Sequence, residues 1–148
     1  MIQWHFVLGV IPVPVIVTDA MADWKGGSAR GPIAQVRPRY IASGDKGLVN
    51  HELRHVRQWW VPMLICALIA VALYLAGSVM WGLPLFVGLV AHPLMYTMLP
   101  RYRLWAEVDA YKEQIKAYGL NGPSDWIITA IEARYDLKYS REFIREQF

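Results

Sequence analysis

The chain of 148 residues contains a single cysteine, Cys66, which excludes an intrachain disulfide and any metal site built from cysteines. Internal repeats and low-complexity tracts are also missing, so one domain covering 1–148 is expected. The formal net charge is only +3. Its basic residues neither cluster on one expected face nor interleave in a recognisable module, which sets nucleic acid aside as a partner. The apolar N-terminus, Met1 to Thr18, has no basic leader and is interrupted by Pro12 and Pro14. It reads as a strand over Val13 to Thr18 and not as a signal peptide.

The largest absence is of charge. From Gln58 to Pro100 there is no Asp, Glu, Lys or Arg, and Leu, Val, Ala, Met and aromatic residues dominate. One crossing of a bilayer takes about 20 residues, so this length allows two. Val61 to about Gly77 or Trp81 reads as the first helix and Leu83 to about Leu99 as the second, with Gly77-Ser78 and Gly82-Leu83-Pro84 at the turn. Pro62 suits the start of a fresh helical segment or a kink continuing from the helix before it. His92-Pro93 leaves room for a re-entrant insertion, and His92 is expected to satisfy a backbone carbonyl beside a Pro93 kink. The alternative, a soluble core, asks the remaining residues to cover two helices that are apolar on every side. Trp59, Trp60, Trp81, Tyr96, Tyr102 and Trp105 fall near the expected interfaces. Two spans put both polar flanks on one side. Arg54 and Arg57 before the hairpin and Arg101 and Arg103 after it favour the cytoplasmic side. The expectation is an integral membrane protein in contact with lipid, with Gly77, Gly82 and Gly88 offering surfaces for a homo-oligomer.

The polar flanks carry the chemistry. His51-Glu52-Leu53-Arg54-His55 places two imidazoles at i and i+4 of a helix, on one side, where they can grip a zinc ion while the intervening Glu serves as general base. Around it, Val49, Leu53, Val56 and Trp60 recur at helical spacing as a core stripe, with Arg54 and Arg57 on the far side. Ser43-Gly44-Asp45-Lys46-Gly47 forms the turn that starts this helix. The extended motif with a third His is excluded, because Gln58 stands where its Gly would be and Val61 where the His would be.

A third ligand must therefore come from elsewhere. A second periodic helix begins at Arg103 and ends near Tyr118-Gly119, with Leu104, Val108, Tyr111, Ile115 and Tyr118 as its apolar stripe. Glu107 falls on the border of that stripe, whereas Asp109, Lys112, Glu113 and Lys116 gather on the opposite face. A carboxylate turned toward the core needs a partner, and a cation is the strongest. Glu107 is the expected third ligand and Asp109 the reserve, with Ala110 letting the two helices approach.

At this point the sequence resembles zincin metallopeptidases of the gluzincin branch, in which a Glu on a second helix completes the His-Glu-x-x-His site. Glu107-Val108-Asp109-Ala110 looks like the Glu-x-x-Ala segment of membrane-embedded CAAX prenyl proteases and HtpX-type proteases. In those families an Asp often follows the Ala and supports a zinc-binding His; here Tyr111 stands after the Ala. The run from His51 to Trp59 is similar as well to small metallopeptidase-like proteins, some of them phage-encoded. The resemblance covers the two motif helices, about a quarter of the chain. It implies an α+β, mainly helical fold: a small sheet, a motif helix and a Glu-bearing helix, the two helices joined by the apolar hairpin over 61–99.

Such folds place a sheet before the motif helix. Ile33 to Val36, bounded by prolines, suits its edge strand and a place where a peptide is held by strand addition, while Met21 to Gly31, with Gly26-Gly27-Ser28, reads as a mobile loop. A helix from Trp126 to about Tyr135 and another from Ser140 to Phe148 are expected to cover the polar side of the domain. The function expected is a membrane-associated zinc metallopeptidase: Zn²⁺ on His51, His55 and Glu107, Glu52 as general base, and a peptide or protein as substrate. Tyr111, Tyr102, Tyr40 and Arg103 are candidate oxyanion donors. The alternative is a small membrane protein whose zinc site serves structure or partner binding without turnover.

Overall fold

The computed structural model describes residues 1–134 and 138–148, and its chain is α+β with a small mixed sheet and six helices among the described residues. The first apolar segment forms two strands, β1 (Ile2–Val7) and β2 (Ile11–Val17), closed by a three-residue loop, Leu8-Gly9-Val10. After the loop come β3 (Gly27–Arg30) and β4 (Ile33–Val36), giving the order β1-β2-β4-β3. β4 joins β2 in parallel only from Val15 onward, past Pro12 and Pro14, where backbone donors are again available.

This order corrects two expectations. Ile33 to Val36 is an interior strand, and the edge is β3, from the segment expected to be a loop. The glycines of 26–27 signal close packing instead of a turn: a Cβ at Gly26 would stand 3.1 Å from the Leu48 side chain, and one at Gly27 2.6 Å from Glu52 Oε1. The residues before β3 are tied down by Arg37, whose buried guanidinium donates to Lys25 O, Met21 O, Ala22 O and the Asp19 carboxylate at 2.8–3.0 Å.

After α1 (Pro38–Ala42), the motif and the first apolar segment form one helix, α2 (Lys46–Leu75), which Pro62 does not break. Asp45 caps it, accepting from Leu48 N–H at 2.9 Å. α2 is long and apolar enough to cross a membrane. It turns back into α3 (Gly82–Met98), and outward side chains of this pair and its turn, among them Leu68, Leu75, Val79 and Phe86, are exposed and apolar. At Gly88 a Cβ would lie 2.9 Å from that of Cys66, so this glycine serves contact within the hairpin and is not open for self-association; Gly77 and Gly82 have nothing within 4 Å of such a Cβ.

Pro93 cannot donate to the carbonyl of Leu89 one turn earlier. Trp59 Nε1 donates to that carbonyl instead, at 3.2 Å, while His92 Nδ1 pairs with the Tyr102 hydroxyl at 2.8 Å. The expected role of His92 thus falls to Trp59. Trp59→Phe removes the donor and shortens the buried ring system; it is expected to lower stability by at least about 1–2 kcal/mol, measured by unfolding in detergent.

α3 ends at Leu99 and the chain bends by 102° into α4 (Pro100–Ala117), where Pro100 occupies the first turn. Gly119, at φ 67°, terminates α4 as expected, with Leu120 N–H donating to Ile115 O. The apolar stripe of α4 is shared between partners: Tyr111 stands edge-on to His51 of α2, ring centroids 4.4 Å apart, and the Tyr118 hydroxyl donates to Asp45 at the cap of α2. Leu104, Val108, Tyr111 and Ile115 pack against Ile127, Ile128 and Ile131 of α5 (Asp125–Arg134) and Ile144 of α6 (Arg141–Glu146). The tail therefore builds a second core on an apolar face instead of covering a polar one; its expected helix end at Tyr135 lies outside the described residues. α4 meets α2 through fully buried Ala106 and Ala110, small enough for close approach.

Candidate metal centre

α2 and α4 bring His51, His55 and Glu107 together. The two Nε2 atoms are 3.2 Å apart, Glu107 Oε1 is 3.4 Å from His55 Nε2, and Glu107 Oε2 is 3.6 Å from His51 Nε2. One ligand atom from each of the three residues lies within 4.8 Å of the others, and the separations, each imidazole to a different carboxylate oxygen, are near the ~3.3–3.4 Å edge of a tetrahedral shell with bonds of about 2.0–2.1 Å. These residues could hold a metal ion. Glu107 is almost wholly buried, and its Oε2 has no hydrogen-bond partner, an arrangement costly for a carboxylate unless a cation meets it. His51 Nδ1 is likewise buried without a partner.

The tautomer of His55 follows from its neighbours. Gln58 Nε2 donates to Ala106 O at 3.0 Å and to Asp109 Oδ2 at 2.8 Å, both pure acceptors, so Gln58 must present Oε1 to His55 Nδ1, at 2.9 Å. His55 then carries a proton on Nδ1 and directs Nε2 to the site. Asp109 is fixed in turn by the Arg54 fork at 2.6 and 2.7 Å. This chain supplies the support that the position after Ala110 does not. It also removes Asp109 as a reserve ligand and brings Arg54, expected on the far side of α2, into the α2–α4 interface. Gln58→Ala is expected to weaken zinc binding by about 10–100-fold with both imidazoles still present, as titration against a competing chelator would show.

The electrostatics suit a cation. Burial, reinforced by nearby His55, lowers the pKa of His51 to about 3 and keeps it neutral. Burial also opposes charge on His55, but the Glu107 carboxylate outweighs it and raises that pKa to about 9. Glu107 is held below the usual carboxylate range: burial pushes it up, and His55 overcomes this. His55 and Glu107 thus favour each other's charged forms across the gap between α2 and α4.

Glu52 lies on the adjoining face of α2, buried beneath Gly27 of β3. Burial raises its pKa to about 7. It lines, together with His51, His55 and Glu107, a cleft of about 750 Å³ to which β3, Tyr96 and Tyr111 also contribute. Of the four expected oxyanion donors, Tyr40 and Tyr111 line this cleft. Tyr102 is paired with His92, and Arg103 donates to Tyr96 O and Thr97 O at the end of α3. Sequence reasoning missed Tyr96, whose hydroxyl donates to Glu107 Oε1; as an aromatic in an uncharged run it gave only an interfacial signal. Compared with known protein families, with curated proteins and with solved structures, the chain finds no match.

Proposed function

We propose that this chain is a zinc-dependent metallopeptidase of zincin-like construction, embedded in a membrane by the hairpin over 61–99. The observation that carries the reading is the convergence of His51, His55 and Glu107, with ligand atoms within 4.8 Å of one another, and a second carboxylate, Glu52, beside them in the same cleft. Zinc bound there would acidify a water and polarise a substrate carbonyl. Glu52, with a pKa near 7, takes up a proton and returns it to the leaving amine. Gln58 and Asp109 hold His55 in its ligating tautomer, and Tyr96 orients Glu107.

The free edge of β3 borders the cleft and offers backbone groups to an extended peptide. A peptide or protein segment is therefore the proposed substrate. The uncharged, outwardly apolar hairpin supports insertion in lipid, and Arg54, Arg57, Arg101 and Arg103 at its polar end support a cytoplasmic site. A purely structural zinc site would not need a buried carboxylate beside the triad, and Glu52→Gln, treated in the Discussion, separates the two readings.

Gly27→Ala provides a test from the substrate side. The added methyl group would stand 2.6–2.9 Å from the Glu52 carboxyl and must displace it. Turnover is expected to fall by about 10–100-fold at unchanged zinc content, measured by peptide cleavage and metal analysis of one preparation.

A further inference from the structure

The outer face of the β1–β2 ribbon is apolar where an ordinary hairpin is polar. Its cross-strand pairs are Ile2 with Ile16, Trp4 with Pro14 and Phe6 with Pro12, while the inward side carries Val7, Val13 and Val15. The ribbon closes through Leu8 and Gly9, both at positive φ, 52° and 76°, with Val10 N–H donating to Val7 O. Such a turn favours Asn, Asp or Gly, and a leucine there is strained. Leu8 is nevertheless partly exposed, and Val10 is 77 % and Phe6 65 % exposed. Turn stability and water solubility both argue against these residues, so contact with an apolar phase is the remaining physical reason for them.

The direction of the tip identifies that phase. β3 runs alongside α2: Gly26 meets Leu48, Gly27 meets Glu52 and Gly31 meets Trp59. Five strand steps and eleven helix steps both cover ~16 Å, so the two run nearly in parallel. β4 is antiparallel to β3, β2 parallel to β4 and β1 antiparallel to β2. The Leu8-Gly9 turn therefore points the same way as Gly31, toward the end at which α2 becomes wholly apolar. Trp60, at that boundary, packs against the core cluster that contains Val7, with Ile11 also against it. Arg30, Arg57 and Arg101, all exposed near this boundary, suit anionic headgroups.

We propose that the β1–β2 tip, Phe6, Leu8, Val10 and Pro12, is a lipid-contacting finger that enters the bilayer interface beside the α2–α3 hairpin. It would give the sheet, and with it the β3 edge of the cleft, a second attachment to the membrane. The inference rests on the membrane reading above, and its test keeps the two apart. In the Cys66→Ser background, full-length chains carrying Leu8→Cys, Val10→Cys, Leu68→Cys or Ala42→Cys are labelled with an environment-sensitive fluorophore. They are then reconstituted in vesicles of phosphatidylcholine and phosphatidylglycerol, and quenching by nitroxide lipids is compared with quenching by aqueous iodide.

The Leu68 label, on the hairpin, reports the membrane reading alone, and the Ala42 label, at the far end of the domain, reports the aqueous baseline. The labels at Leu8 and Val10 are expected to be quenched by lipids carrying the nitroxide near the headgroup and to lose most of their iodide quenching. Leu8→Asn, which suits the turn, is expected to keep or raise the unfolding temperature while reducing lipid quenching at Val10. Lipid quenching at Leu68 with iodide quenching at Leu8 and Val10 equal to that at Ala42 would overturn the finger and leave the hairpin intact. Shielding from iodide without lipid quenching would overturn it in favour of a second copy or another protein. Absence of lipid quenching at Leu68 would remove both readings.

Discussion

Glu52→Gln is expected to reduce peptide cleavage by ~10²–10⁴-fold while zinc content stays that of the parent. The substitution keeps volume and hydrogen-bonding reach, so the fit beneath Gly27 is preserved, and it removes only the ability to accept a proton. Glu52 lies outside the triad whose ligating atoms converge, so the metal should be retained. Stability should not fall. The folded-state pKa is raised from 4.5 to about 7 by burial, so the carboxylate weakens the fold increasingly as pH rises through that window, and the amide is free of this cost. For the parent, activity should rise with pH as Glu52 loses its proton, with bound zinc moving that limb below pH 7. Cleavage at the parental rate would refute the general-base role; loss of zinc would show that Glu52 is a ligand.

Glu107→Gln should be more damaging. It removes the single charged ligand and leaves the imidazoles to hold a dication without compensation. Zinc is expected to be lost on dialysis against a weak chelator that does not strip the parent, and activity to vanish with it. The metal-free fold suffers as well, because Glu107 is the partner that keeps His55 charged. Breaking a buried pair by removing one member costs about 3–5 kcal/mol. The pH dependence of this loss follows from both partners. The Glu107 contribution is present above pH 4.5 and is lost as pH falls below it; the His55 contribution is present below pH 6.5 and is lost as pH rises toward 9. The destabilisation should therefore be greatest between pH 4.5 and 6.5, measured by unfolding of the zinc-free proteins in detergent. Zinc retained at parental affinity would rule out Glu107 as a ligand.

The residues that converge on the cleft differ in how openly the sequence declares them. His51 and His55 are legible because a helix converts a separation of four into a shared face. Glu107 is legible because an acid at the margin of an apolar stripe requires a partner. The hairpin is legible because the absence of charge leaves few alternatives. Gln58 was noticed only for breaking the extended motif, and its role as the acceptor for His55 depends on Ala106 O and Asp109, both distant in sequence. Gly27 has the composition of a loop, yet its value is the missing Cβ above Glu52, which only tertiary packing reveals. The place of the tail was hidden for a related reason: α4 buries two faces, an apolar one against the tail and one with Ala106, Glu107 and Ala110 against α2, and hydrophobic periodicity does not say which partner covers which. Leu8 was hidden because a leucine at positive φ is what turn chemistry argues against.

Both imidazoles belong to a single helix of 30 residues that continues, unbroken at Pro62, into the hairpin, whereas Glu107 follows the 102° bend at Leu99. A rod ~45 Å long behaves as a lever. On the proposed placement, a tilt to match a thinner bilayer would carry the histidine pair with it, and the Arg54–Asp109 fork and the Gln58–Ala106 bond would carry Glu107 along. The arms that would hold an ion thus form one body, and the centre would keep its shape while the lipid around it changes.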